Sequence, residues 1–162
     1  MSTTRAETIA TLQQTPATLV QMTSSLPDAA LDYRATPTDW SVREILAHLV
    51  DDEMYVMRLR LERIVKEDNP QLAPHDEQKW YATSNATRDA LAELLVDFAV
   101  QRAASLGIIG MLRESDWARE GVQPEYGRFT AEGQLAMWAE HDATHLRQIE
   151  AMLAAYAAQP AR

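Results

Sequence analysis

Apolar residues recur every three to four positions along almost the whole chain, and strand-like alternation is nearly absent. That spacing is the mark of amphipathic helices. The first predicted helix covers about Ala6 to Ser25. Within it, Thr15-Pro16 has the form of a cap followed by a proline in the first helical position. The segment therefore reads either as one helix or as a short helix followed by another from Pro16 to Ser25. Leu26 to Asp39 carries Pro27 and Pro37 and reads as loop. The second helix has the clearest start, because "SVRE" is a capping box with Ser41 as cap and Glu44 reaching back. Its apolar stripe runs Val42, Ile45, Leu46, Leu49, Val56, Ile64, and it ends near Glu67. The connection from Asp68 to about Ala86 is too long for a tight antiparallel turn. The third helix covers about Thr87 to Leu106, with Leu91, Leu94, Leu95, Phe98 and Ala99 facing inward and Gly107 as its stop. Ile108 to Phe129 reads mostly as loop. The fourth helix covers about Ala131 to Ala158, capped by Thr130, with a stripe of Leu135, Trp138, Asp142, His145, Ile149, Met152 and Tyr156. Four long amphipathic helices predict an all-α four-helix bundle.

Two members of the last stripe do not suit a plain core. Asp142 and His145 fall on the buried seam, flanked above and below by apolar residues. "HDATH" also places His141 one turn before His145, about 5–6 Å away at Cβ. Two imidazoles at that spacing can reach one ion, although such pairs also occur without one, each histidine satisfied by a buried hydrogen bond. The second helix shifts the balance. "AHLVDDE" sets His48 at the flank of the apolar stripe, leans Asp52 towards the same seam and puts Glu53 close to its centre. Each is costly to bury without a partner. A third imidazole facing the same interior completes a three-nitrogen set, the number of protein ligands zinc sites with an open position commonly use.

Asp142 reads either as a group orienting a ligand imidazole or a bound water, or as a buried hydrogen bond to a neighbouring helix. Asp142, Asp52 and Glu53 are the candidate catalytic acids. His75, in "LAPHDEQKW", reads as a surface or loop residue outside the ligand set. The four tryptophans read as core or loop anchors and Met22, Met54, Met57, Met137 and Met152 as packing. Arg88, Asp89, Glu93 and Asp97 read as a solvated face.

Length and composition narrow the remaining choices. A chain of 162 residues suits one domain, with residues 1–5 and 159–162 as frayed tails. The absence of cysteine excludes disulfides, thiolate ligands and a cysteine nucleophile. A net charge of -9 disfavours a nucleic-acid backbone or an anionic membrane as partner. The longest uncharged run, Thr8 to Pro27, is too rich in Thr, Gln and Ser to span a bilayer, and "MSTTRAETIA" has no secretory core. The expectation is a soluble cytoplasmic protein acting on a small molecule.

"DWSVREILAHLVDDE" resembles the second-helix signature of the DinB superfamily, and "AEHDATHLRQIE" resembles its fourth-helix signature, including Gln148-Ile149 after the second histidine. "RLRLERIVKEDNPQL" and "SDWARE" also look like family segments, so the resemblance runs from about Thr15 to Met152. It implies up-down-down-up connectivity with a long crossover between the second and third helices. It also implies a divalent metal held by one histidine of the second helix and two of the fourth, here His48, His141 and His145. Three imidazoles suit zinc, nickel, iron or copper, with zinc and nickel the first choices. Characterised relatives of this kind include transferases and isomerases using a low-molecular-weight thiol such as bacillithiol or mycothiol. The resemblance therefore implies a metal-dependent thiol transferase. A metal-dependent hydrolase and a non-catalytic stress-response protein with a structural ion are the alternatives, and a homodimer is compatible with the family.

Overall fold

The computed structural model describes residues 3–76 and 90–159. Its helices are α1 (Arg5–Thr23), the single turn α2 (Asp28–Leu31), α3 (Val42–Asp52), α4 (Arg58–Lys66), α5 (Leu91–Met111) and α6 (Ala131–Ala157). A π turn, Glu53–Met57, joins α3 to α4 without a break. Between α5 and α6 lie a 3₁₀ turn, Glu114–Ala118, and a hairpin of β1 (Glu120–Gln123) and β2 (Gly127–Thr130).

The bundle directions follow from which ends meet. Arg5 reaches Glu132 while Thr15 reaches Asp142, so α1 and α6 run parallel. His48 faces His145 while Met57 faces Gln134, so α3 runs against α6. Leu46 and Leu49 share one apolar cluster with Leu94 and Phe98, while Leu61 and Ile64 share another with Ile109, so α3–α4 and α5 run parallel. This is the up-down-down-up four-helix bundle.

The two clusters occupy opposite ends of the bundle. One gathers Leu19, Ile45, Leu49, Phe98 and Ile149; the other gathers Leu12, Leu61, Ile64, Ile109 and Trp138. Between them sit buried polar groups from α1, α3, the π turn, α5 and α6: Thr15, His48, Asp52, Glu53, Arg102, Ser105, Asp142 and His145. A polar layer thus crosses the middle of an otherwise apolar core.

Several predicted boundaries are corrected. α1 does not break at Thr15-Pro16; it runs through. Pro16 cannot donate to the carbonyl of Leu12, which would ordinarily leave that carbonyl orphaned. Here Arg102 Nη1 donates to Leu12 O at 2.9 Å, and Thr15 donates its hydroxyl to Asp142 at 2.7 Å instead of capping a helix. The helix also starts one residue earlier than predicted, because Thr4 and Glu7 form a capping box and Arg5 pairs with Glu114 and Glu132. Gly107 does not end α5, which continues to Met111 with open space where a Cβ would lie at Gly107 and at Gly110. A helical glycine costs only about 1 kcal/mol and need not stop a packed helix. Ala99 is exposed, as are Val96 and Val100, and the inward face is Leu94, Phe98, Arg102, Ser105 and Ile109. The predicted start of this helix, and Arg88, Asp89 and Trp80, lie outside the described residues. By length and composition α5 could cross a membrane, but it is a bundle helix with Arg102 tied by ion pairs to Glu53 and Asp142.

The predicted loop after α5 contains the hairpin. Gln123 Oε1 accepts from the backbone N–H groups of Glu125 and Tyr126, and Gly127 takes the left-handed φ of 74° that closes the turn. β1 also pairs with the chain after α4, through Leu72 N to Val122 O at 2.7 Å and Val122 N to Pro70 O at 2.9 Å. A Cβ on Gly121 would meet the Ile64 side chain at 3.0 Å and that of Leu72 at 3.2 Å, so the hairpin lies close against α4 and a larger residue would have to push these side chains aside. This pairing fixes the segment that carries His75 beside the bundle.

Candidate metal centre

The capping box at Ser41 and Glu44 starts α3 and sets its rotation. His48, two turns on, then points inward between α3 and α6, where it is 5 % exposed. His141 and His145 come from one face of α6, one turn apart. The Nε2 atoms of the three rings converge: His48 to His145 is 3.0 Å, His48 to His141 is 3.2 Å and His141 to His145 is 3.2 Å. The three residues form a group whose ligand atoms could hold one metal ion.

The donor chemistry fits a cation. His145 Nδ1 lies 2.8 Å from Gln148 Oε1, so Nδ1 carries the proton and Nε2 keeps its lone pair. His48 Nδ1 faces Asp52 at 3.6 Å, which favours the same tautomer there, whereas His141 lies between two carboxylates, with Nδ1 4.0 Å from Asp142 and Nε2 3.3 Å from Asp52. A carboxylate or carbonyl behind a ligating imidazole orients the ring in this way. Three lone pairs aimed at one point cannot satisfy each other. Nitrogens at tetrahedral angles and about 2.0–2.1 Å from an ion stand roughly 3.3–3.4 Å apart, close to the separations found here.

Protonation tells the same story. Burial pushes His48 down to about 3 and His145 down to about 4. Burial also opposes charge on His141, but the carboxylates of Asp142 and Asp52 outweigh it and lift its pKa to about 9. One positive charge is therefore favoured among the three rings, and at neutral pH a single proton takes that place when no ion does.

The three candidate acids divide between two surroundings. Asp52 Oδ2 lies 3.3 Å from His141 Nε2, and Oδ1 lies 3.0 Å from His75 Nε2. Burial would raise the Asp52 pKa, yet His141 and His75 outweigh it and hold the carboxyl below the usual range. Asp142 and Glu53 instead flank Arg102. Its Nη1 and Nη2 donate to Asp142 at 2.6 and 3.0 Å, and its Nε and Nη2 donate to Glu53 at 3.0 and 2.8 Å. Trp138 Nε1 donates to Glu53 at 2.9 Å. Burial opposes ionisation of Asp142, but His141, Arg102 and Thr15 together keep its pKa low. Asp52 and Glu53 are neighbours in sequence, and the π turn that begins at Glu53 lies between these two environments. Such turns often occur at functional sites.

His75, expected at the surface, is instead drawn in against Asp52, with its side chain 13 % exposed. Trp40, expected as a core or loop anchor, lies against the site: its ring centroid is 4.9 Å from that of His48, and it stacks parallel to His145 at 6.5 Å. The sequence reading passed over Arg102, although a cation on the stripe Leu94, Phe98, Arg102, Ser105, Ile109 carries the same signal as Asp142 on α6. A cavity of about 380 Å³ opens on the centre, lined by Asp52, His75, His141, His145, Arg60 and Glu125 among others. Arg60, His75 and Glu125 also line a second cavity of about 540 Å³.

Fold and site together define a four-helix-bundle protein in which three converging histidines form a group that could hold a metal ion. Residues 11–149 match the sequence profile of the DinB superfamily, and the chain belongs to that superfamily. A protein of Oceanobacillus iheyensis is 26 % identical over 147 residues, covering 90 % of this chain and 84 % of the relative. A protein of Bacillus licheniformis is 30 % identical over 146 residues, covering 88 % and 81 %. Both are provisionally named metal-dependent hydrolases. The solved structure of YfiT from Bacillus subtilis superimposes with a TM-score of 0.83 at 21 % identity, over 93 % of this chain and 88 % of that one. It is described as a probable metal-dependent hydrolase with an unusual four-helix bundle topology.

Proposed function

We propose that this chain is a metal-dependent enzyme that delivers a small nucleophile to an electrophilic small molecule, with a low-molecular-weight thiol as that nucleophile. One observation carries the reading: an ionised carboxylate, Asp52, lies 3.3 Å from a ligand nitrogen and lines the cavity that opens on all this chemistry. His48, His141 and His145 would hold a divalent ion, zinc or nickel first by donor type. A bound ion supplies Lewis acidity, which lowers the pKa of a thiol or a water at an open position to near neutrality.

Asp52 receives the nucleophile's proton, a role that needs a carboxylate within hydrogen-bond reach. His75 holds Asp52 from the cavity side. Gln148 keeps the His145 tautomer correct. Asp142 and Glu53, clamped by Arg102, fix the rotation of α6 against α3, and Asp142 backs His141. These two acids position the ligands and do not touch the reactants. The chain has no cysteine, so the sulfur arrives with a cosubstrate, for which the second cavity gives room.

Hydrolysis is the second reading. It is favoured by the names of the relatives and by Asp52, which would accept a proton from water as readily. The deciding experiment compares metal-reconstituted protein in two assays. One supplies bacillithiol or mycothiol with an alkylating fluorophore and measures thioether; the other supplies a panel of small esters and amides without thiol. Thioether formation that is lost in Asp52→Asn supports transfer. Cleavage without thiol moves the assignment to hydrolysis. Inactivity in both, with metal bound stoichiometrically, refutes a catalytic role on these substrate classes.

A further inference from the structure

Arg60 lies on α4 in the wall shared by both cavities and is 8 % exposed. Among the described residues its hydrogen bond is a single long one, Nη2 to Ala73 O at 3.3 Å. A guanidinium presents five N–H donors, and a buried one is costly without an anion to meet them. Arg102 shows what a satisfied buried guanidinium looks like in this fold: two carboxylates and a carbonyl surround it. Arg60 has no such ion pair among the described residues. Burial lowers its pKa although Asp52, Tyr126 and Glu125 act to raise it. Arg60 lines both cavities, the space a ligand would occupy.

We propose that Arg60 binds a carboxylate of the small molecule whose reacting end lies at the trihistidine centre. This deepens the enzymatic reading of that centre and rests on it. A planar carboxylate matches the guanidinium fork and can accept two parallel hydrogen bonds. Glu125 lines the same two cavities, so a singly charged carboxylate fits the wall better than a phosphate dianion. The carboxylate belongs either to the thiol cosubstrate or to the electrophile, and the recognition chemistry is the same in both.

The test uses cobalt-loaded protein and reads binding, not turnover. In one arm, 3-mercaptopropionate is compared with 3-mercapto-1-propanol, thiols of equal length with and without the carboxylate, through sulfur-to-cobalt charge-transfer absorption. In the other arm, monomethyl glutarate is compared with dimethyl glutarate by calorimetry. The proposal expects the carboxylate to be preferred by about tenfold or more in at least one arm. Arg60→Met should remove that preference and leave the neutral analogue's affinity unchanged. Arg60→Lys should keep part of it, and circular dichroism checks that both variants fold. Preference in the thiol arm alone places the carboxylate on the cosubstrate; in the ester arm alone, on the electrophile. Equal binding in both arms overturns the proposal. So does a preference that survives Arg60→Met, which would mean that the carboxylate binds the ion itself. Should no thiol give a charge-transfer band, the thiol reading fails while the ester arm still decides the role of Arg60.

Discussion

Replacing Arg102 by Met separates the polar layer from the packing around it. The methionine keeps much of the apolar bulk and removes the cation. Glu53 and Asp142, each with a side chain only 1 % exposed, then lose their shared counter-charge, and Leu12 O loses the donor that stands in for the missing N–H of Pro16. Removing one partner of a buried ion pair costs about 3–5 kcal/mol. Trp138 and Thr15 still donate to the two carboxylates, which argues for the lower part of that range even though two pairs are broken. In a domain of this length each kcal/mol moves Tm by about 2–4 °C, so about 3–4 kcal/mol corresponds to a fall of roughly 6–16 °C. The assay is thermal unfolding by circular dichroism of EDTA-treated protein across pH. Arg102 helps hold the Asp142 pKa low in the parent, so that stabilisation is present above the ordinary carboxylate range and lost as pH falls through the depressed value. In the variant Asp142, without the guanidinium, takes up a proton more readily. The deficit should therefore be largest near neutrality and narrow as pH falls, and Glu53→Gln with Asp142→Asn should restore part of it. A Tm loss under about 2 °C, or one of equal size at every pH, would show that the ion pairs do not hold this layer together.

Three further expectations follow from other parts of the site. Asp52→Asn should leave metal content intact while lowering turnover by about 10²–10⁴-fold; unchanged turnover removes Asp52 from the chemistry. Because the carboxylates lift His141 to about 9, an entering ion displaces one proton below that pH. Metal affinity measured against a competing chelator should rise about tenfold per pH unit from about 5 to about 9 and then level. That same proton stabilises the metal-free fold: its contribution is complete below the ordinary histidine value of 6.5 and disappears as pH climbs through about 9. An affinity flat between pH 6 and 8 contradicts this assignment. Finally, Gln134 is 0 % exposed and its Oε1 has no partner among the described residues. Gln134→Met should hold or raise stability by about 1 kcal/mol in urea unfolding, and a loss of more than that would reveal a partner for the amide.

What could be read from the sequence was what local chemistry decides. Ser41 with Glu44, and Thr130, start α3 and α6 where their capping patterns place them. Once both helices are fixed in phase, His48, His141 and His145 have few directions left to point. What escaped depends on distant partners. Thr15-Pro16 looks like a break until Arg102, far along the chain, takes the Leu12 carbonyl. The π turn Glu53–Met57 has no local signature. The hairpin alternates too weakly to stand out, with β2 exposed at its start, and it is held by Gln123 and by pairing to the chain after α4. That pairing is what carries His75 to Asp52, so its place could not be foreseen without the hairpin. Arg102 was legible and overlooked: a charge on an apolar helical stripe predicts a buried counter-charge, as Asp142 does on α6.

The proposed chemistry requires that three imidazoles share one ion. Elemental analysis by mass spectrometry of untagged protein, dialysed with equimolar zinc or nickel and then freed of excess, measures this directly. About one ion per chain is expected for the parent, and close to none for His48→Ala and His145→Ala with helical content retained. A parent that keeps no ion, or either variant keeping a full equivalent, would contradict it.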